Sequence, residues 1–174
     1  MKLSPVKERF ILHWGEMGTR WGINRTVAQI HALLYVSSRP LHAEEIAETL
    51  SVARSNVSTS LRELQGWGIV KIVHLLGDRR DHFETMKDVW QMFRVVLEER
   101  KRREIDPTLS VLRECVTEAG EAGSSDPQTE ERLNELLYFM ETMSNWYDQM
   151  RKIPISSLLK IIKLGNKIQK VVGT

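Results

Sequence analysis

The chain has 174 residues, with 25 Lys/Arg, 23 Asp/Glu and one cysteine. That length can bury a core without metal or disulfide support, and the single Cys115 excludes an internal disulfide and a thiol-pair metal site. No run approaches ~18 consecutive apolar residues and the start, MKLSPVKERF, carries charges, so neither a spanning helix nor a signal segment is expected and the expected location is the cytoplasm. Charge is unevenly spread: residues 1–105 hold 17 Lys/Arg against 13 Asp/Glu, residues 106–150 hold 2 against 10, and residues 151–174 hold 6 against none. A polyanion would therefore meet the first segment and avoid the middle one.

In chain order, residues 4–21 read as a helix, with Ser4 as cap, Pro5 in the first turn, and Val6, Phe10, Ile11 and Trp14 along one face. Asn24 suits the cap of the next helix, whose apolar positions are Val27, Ile30, Leu33 and Leu34. After Pro40 come two short helices. Ile46 and Leu50, four apart, share a face of the first. Val57, Leu61 and Leu64 give the second its own apolar face, and Ser51 is expected to cap it. Opposite that face stand Arg54, Ser55, Asn56, Ser58, Thr59 and Arg62, a hydrogen-bonding, basic surface with no acid before Glu63. Such a helix can approach a polyanion and read base edges.

Gly66 and Gly68 are expected to end that helix. The β-branched run Ile69–His74 reads as a strand, Gly77–Asp81 as a turn bearing Arg79 and Arg80, and His82–Thr85 as the returning strand. A helix pair followed by a basic hairpin is a winged helix. Its helix would fill the major groove and its hairpin would reach backbone or minor groove. One wing arginine is expected on DNA, the other paired with Asp78 or Asp81.

Met86–Arg103 reads as a long helix, and Asp106–Pro107 as the start of another. Gly120–Pro127 is a loop, Thr129–Met150 a helix, and Ile155–Val172 a final amphipathic segment with Lys160, Lys163, Lys167 and Lys170 on one face. The fold class expected is mainly α with a small β-hairpin: a winged helix-turn-helix plus a C-terminal helical extension. Residues 1–87 would form the DNA-binding domain, and residues 88–174 a helical dimerisation and effector region.

The stretch LHAEEIAETLSVARSNVSTSLRELQGWGIVKIVHLLGDRRDHFETMKDVWQMFR resembles the winged-helix segment of MarR-type transcriptional regulators, most closely their GbsR-type branch. The GDRRD wing and the KDVW helix start carry the resemblance, which covers roughly Phe10 to Arg103. It implies a dimeric, sequence-specific DNA-binding regulator, with a small-molecule effector such as a quaternary ammonium compound in some relatives.

Other chemistry finds little footing. The five histidines show no metal-ligand spacing. His74 and His82 flank the wing turn, where they could face each other or stand as ordinary surface residues. Glu44, Glu45 and Glu48 read as solvated carboxylates. Ser55 and Ser58 lack a matched base, and no phosphate-cradling glycine loop occurs, so no enzyme, cofactor or metal is expected. The aromatics Trp14, Trp21, Trp67, Trp90, Trp146, Tyr35, Tyr138 and Tyr147 fit core and interface positions better than a cation box. The expected function is a dimeric repressor bound to a double-stranded operator and responsive to a small molecule. The rival readings are a winged-helix protein-interaction module and a regulator held at a membrane surface by the basic C-terminal helix.

Overall fold

A computed structural model describes residues 2–122 and 126–164. The chain divides into two compact units, residues 1–96 and 97–174.

In the first unit, α1 (Pro5–Arg20) starts where Ser4 accepts a bond from the Lys7 N–H, and α2 (Arg25–Val36) where Asn24 Oδ1 accepts one from Thr26 N at 2.8 Å. Both caps are those expected. Helix α2 lies at the centre, with Val27, Ile30, Leu33 and Leu34 buried among its neighbours and Arg25 of its first turn exposed. It crosses α1 closely at Gly18, where a Cβ would stand 2.4 Å from that of Ala28. Helices α3 (Ala43–Leu50) and α4 (Arg54–Gly66) close the core with Ile46, Val57, Leu61 and Leu64. Each such side chain contributes about 1.5–3 kcal/mol when fully buried.

The wing is the antiparallel hairpin of β2 (Val70–Val73) and β3 (His82–Thr85), in the register Val70↔Thr85 to Val73↔His82. A further strand, β1 (Leu41–His42), was not foreseen from the sequence. It pairs Leu41 with Phe83 and His42 with His82, so the sheet order is β1-β3-β2. Lys87, just past the wing, donates to the carbonyls of Leu34 (2.8 Å), Tyr35 (2.8 Å) and Ser37 (3.0 Å). One ammonium thus satisfies the carbonyl end of α2, where the helix dipole also favours a cation.

Asp88 caps α5 (Val89–Arg100) by accepting from Trp90 N and Gln91 N, which moves the helix start from Met86 to Val89. A helix starts at Asp106 as expected, but no break precedes it. A π-helical turn, Lys101–Ile105, runs straight into α6 (Asp106–Ala122), with Asp106 N bonded to Lys101 O. Proline lacks an N–H and its ring crowds the preceding turn; the wider π turn accommodates both.

In the second unit, α6 and α7 (Pro127–Met150) pack together around Leu109 and Leu112, with Arg113 paired to Glu141 at 2.8 Å. Lys101 reaches Asp106 (2.8 Å) and Asp148 (3.7 Å). Helix α8 (Ile155–Leu164) covers the first part of the final amphipathic segment; Lys167, Lys170 and Val172 lie outside the described residues. No helix among the described residues is long and apolar enough to cross a membrane.

Candidate nucleic-acid interface

Helix α4 turns Val57, Leu61 and Leu64 inward, which sets the opposite face outward. Arg54, Ser55, Asn56, Thr59 and Arg62 are all exposed and Ser58 is half-buried, so the fold brings the six expected reading residues to one surface. Arg79 and Arg80 stand exposed on the wing beside it. Between helix and wing lies a cleft of about 500 Å³, lined by Arg54, Ser58, Arg62 and Gln65 on one wall and Ile72, Arg80, Asp81 and Phe83 on the other.

Ser51 does not cap α4. It ends α3 in the left-handed region, at φ 54°, and the residue before α4 is Ala53, which makes no side-chain cap bond. Only three residues join the two helices. A sharp reversal over so short a link needs one left-handed residue, and Ser51 fills that place. The exposed Ser51 thus sits in the turn before α4 and not at its head. Similarly, only Gly68 (φ 75°) supplies a positive φ at the other end of α4, while Gly66 is still helical.

The carboxylates of α3 are not simply solvated. Glu44 Oε1 accepts from Arg54 Nε at 2.8 Å and lies 2.7 Å from Arg54 Nη2, while Arg54 Nη1 donates to Ser58 Oγ at 3.2 Å. The Glu44 carboxyl is held below its usual range, first by a backbone N–H, then against some burial by Arg54 and His42. Glu45 pairs with Arg39 and is lowered by that bond. On the other flank, Arg62 Nη2 leans on Thr59 Oγ1 at 3.4 Å.

The wing divides its two arginines. Arg80 grips Asp78 through Nε (2.9 Å) and Nη2 (2.5 Å), and its Nη1 lies 3.0 Å from His42 Nε2. Those bonds hold the Asp78 carboxyl well below the carboxylate range, the Arg80 side chain contributing most and the Arg80 N–H next. Among the described residues, no hydrogen bond or ion pair engages the side chain of Arg79. The structural partner of the pair is therefore Arg80, and the arginine free to meet a ligand is Arg79.

His74 and His82 do not face each other. His74 lies 3.8 Å from Asp81 on the surface, whereas His82 is buried and meets His42 edge-on, ring centroids 5.5 Å apart. His82 also reaches Asp78 at 3.6 Å. This cluster welds wing to α3, and the β1 pairing that creates it carries too little sequence signal to be foreseen.

One group of aromatics gathers where α1 meets α2. Trp14 contacts Phe10 (5.5 Å), Trp21 (5.9 Å, edge-on) and His31 (6.5 Å), and His31 contacts Tyr35 (6.4 Å). His31 is buried with no partner for Nε2, and burial foremost, with Lys87 second, pushes its pKa down to about 4.

Residues 21–81 match the MarR family. Among curated proteins of Bacillus subtilis (strain 168), the chain is similar to the HTH-type transcriptional regulator YvaV, 24% identical over 87% of this chain and 86% of that one. It is similar also to the HTH-type transcriptional repressor OpcR, 21% identical over 87% and 83%, and to the HTH-type transcriptional repressor GbsR, 22% identical over 76% and 75%. Among solved structures, a transcriptional regulator shares the fold with a TM-score of 0.65 at 23% identity, over 84% of this chain and 95% of that one. With the helix pair, the paired wing and the family match falling on the same residues, the chain is a winged-helix protein whose residues 21–81 are similar to the MarR family.

Proposed function

We infer that this protein is a sequence-specific DNA-binding transcriptional regulator that works in the cytoplasm as a dimeric repressor responsive to a small molecule. The observation that carries the reading is the outward face of α4, with Arg54, Asn56, Thr59 and Arg62 exposed beside an unengaged wing arginine. Arginine and asparagine can make paired contacts to guanine and adenine, and a flanking cation on the wing reaches the backbone or the minor groove. Ser51, Ser55 and Ser58 would add contacts that fix register. Residues 1–87 would read DNA.

The helical residues 88–174 would supply the dimer contact. On α7, Leu136, Phe139, Met143 and Trp146 follow at spacings of three, four and three and form one apolar stripe, each about half exposed. Such a stripe calls for a cover, and a second copy would also place two reading helices against a two-fold operator. Relatives named as repressors support the sign of regulation, and the family resemblance supports the effector.

The test is competition between a selected duplex site and random duplex. Arg54→Ala and Asn56→Ala are expected to weaken specific binding by roughly 1–3 kcal/mol each in discrimination while sparing non-specific binding. Full site preference in both variants removes α4 as the reader. Sedimentation at micromolar concentration is expected near twice the chain mass.

A further inference from the structure

We propose that Glu44 is a specificity-determining residue: it clamps Arg54 so that the guanidinium presents two parallel donors to a guanine in the major groove. The inference rests on the DNA-reading role of α4. A guanidinium has five N–H donors in a rigid plane. The Glu44 carboxylate accepts the Nε–H and lies 2.7 Å from Nη2, and Ser58 Oγ accepts one N–H of Nη1. Each terminal nitrogen therefore keeps an N–H for a further partner. That pair matches the O6 and N7 acceptors of guanine, the pattern no other base presents in the major groove.

Position and charge agree. Arg54 is the first residue of α4, and it is the N-terminal end of a reading helix that reaches base edges. Glu44 lies ten residues back on another helix, so its hold fixes the guanidinium from outside α4. Both side chains are about half exposed, which leaves the clamp open to a partner on the solvent side. A carboxylate beside the arginine repels phosphate, so the pair disfavours backbone contact and leaves the base edge as the better partner. Glu44 is thus a positioning residue, and it contributes to discrimination while lowering general affinity for DNA.

The experiment is selection of bound sites from random duplex DNA, followed by affinity measurements on single-base variants of the selected site. Wild type, Glu44→Ala, Glu44→Gln, Arg54→Ala and the double variant Glu44→Ala/Arg54→Ala are compared, with circular dichroism confirming that each is folded. Wild type is expected to prefer a G·C pair at one position of each half-site by about tenfold or more, and Arg54→Ala to lose that preference. Glu44→Ala is expected to lose most of it while binding random duplex more tightly. Glu44→Gln has the same length and keeps an oxygen acceptor, so it should retain most of the preference yet share the rise in random binding. In the Arg54→Ala background, removing Glu44 should change no base preference.

Glu44→Ala keeping the wild-type preference at every position, with only a uniform gain in affinity, overturns the clamp and leaves the DNA-reading role standing. A further loss of base preference on removing Glu44 from Arg54→Ala also overturns it, because Glu44 would then touch a base itself. Wild type selecting no site at all overturns both the reading role and this inference.

Discussion

Replacing the two wing arginines one at a time gives a sharp test, because the structure assigns them different jobs. Arg80 is spent on Asp78 and His42, whereas Arg79 has no partner among the described residues. A side chain on a phosphate releases about one counterion, and the slope of log affinity against log salt changes by about 0.9 for each. Arg79→Ala should therefore flatten the slope by about 0.9 per chain, or about 1.8 for two chains on one operator. Between 50 and 200 mM salt, a slope of 0.9 corresponds to about 3.5-fold in affinity, and 1.8 to about 12-fold. Arg80→Ala should leave the slope unchanged and lower the melting temperature, because Asp78 and His42 lose a shared partner. Fluorescence anisotropy with a labelled duplex across that salt range measures the slope, and a thermal melt measures the other effect. Equal slopes for wild type and Arg79→Ala would refute a phosphate contact by Arg79. A flattened slope in Arg80→Ala would show that Arg80 leaves Asp78 when DNA binds.

Three further outcomes are expected. The His31 imidazole takes a proton near 6.5 when unfolded but only near 4 when folded, so the unfolded state binds more protons between those values and stability falls as pH drops through that window. The full difference is about 3 kcal/mol, and His31→Leu should remove that part of the acid sensitivity; urea titrations at pH 7 and pH 5 that fall in parallel for the two proteins would refute it. Lys87→Met leaves three carbonyls without their cation and should cost about 1–2 kcal/mol, a fall of roughly 3–6 °C in a thermal melt. Gly18→Ala should cost about 1–3 kcal/mol in chemical denaturation, since Ala28 has no torsion with which to yield, whereas Gly15→Ala meets only the flexible Gln29 side chain and should cost less.

What the sequence made legible was local. Ser4 and Asn24 cap their helices because capping involves neighbours two or three residues away. Val57, Leu61 and Leu64 could be placed inside because their spacing follows the helical repeat, and with them came the outward set from Arg54 to Arg62. Ser51 was misplaced because serine suits both a cap and a left-handed turn, and the length of the link between helices decides between them. Glu44 was missed as the partner of Arg54 because the two meet only through the corner between α3 and α4. The burial of His82 had no local signal because it depends on β1, whose two residues carry no strand pattern. Lys87 reaches carbonyls some fifty residues earlier in the chain, and no local pattern announces such a bond.

That lysine has a consequence for how the molecule can be altered. Its bonds bring the exit of the wing back to the end of α2, where the segment departed, and the bridge between Leu41 and Phe83 repeats the closure one layer further out. Some fifty residues, including the whole reading surface, thus form a cassette whose entrance and exit share one socket on α2. The closure entropy of such a loop grows only slowly with its length. A graft from a relative therefore needs a lysine at its end, an apolar bridge near its start and the inward residues equivalent to Ile46, Val57, Leu61 and Leu64, while its outward residues can differ freely. Exchanging the segment between such proteins should transfer the choice of operator while leaving the scaffold of α1 and α2 intact.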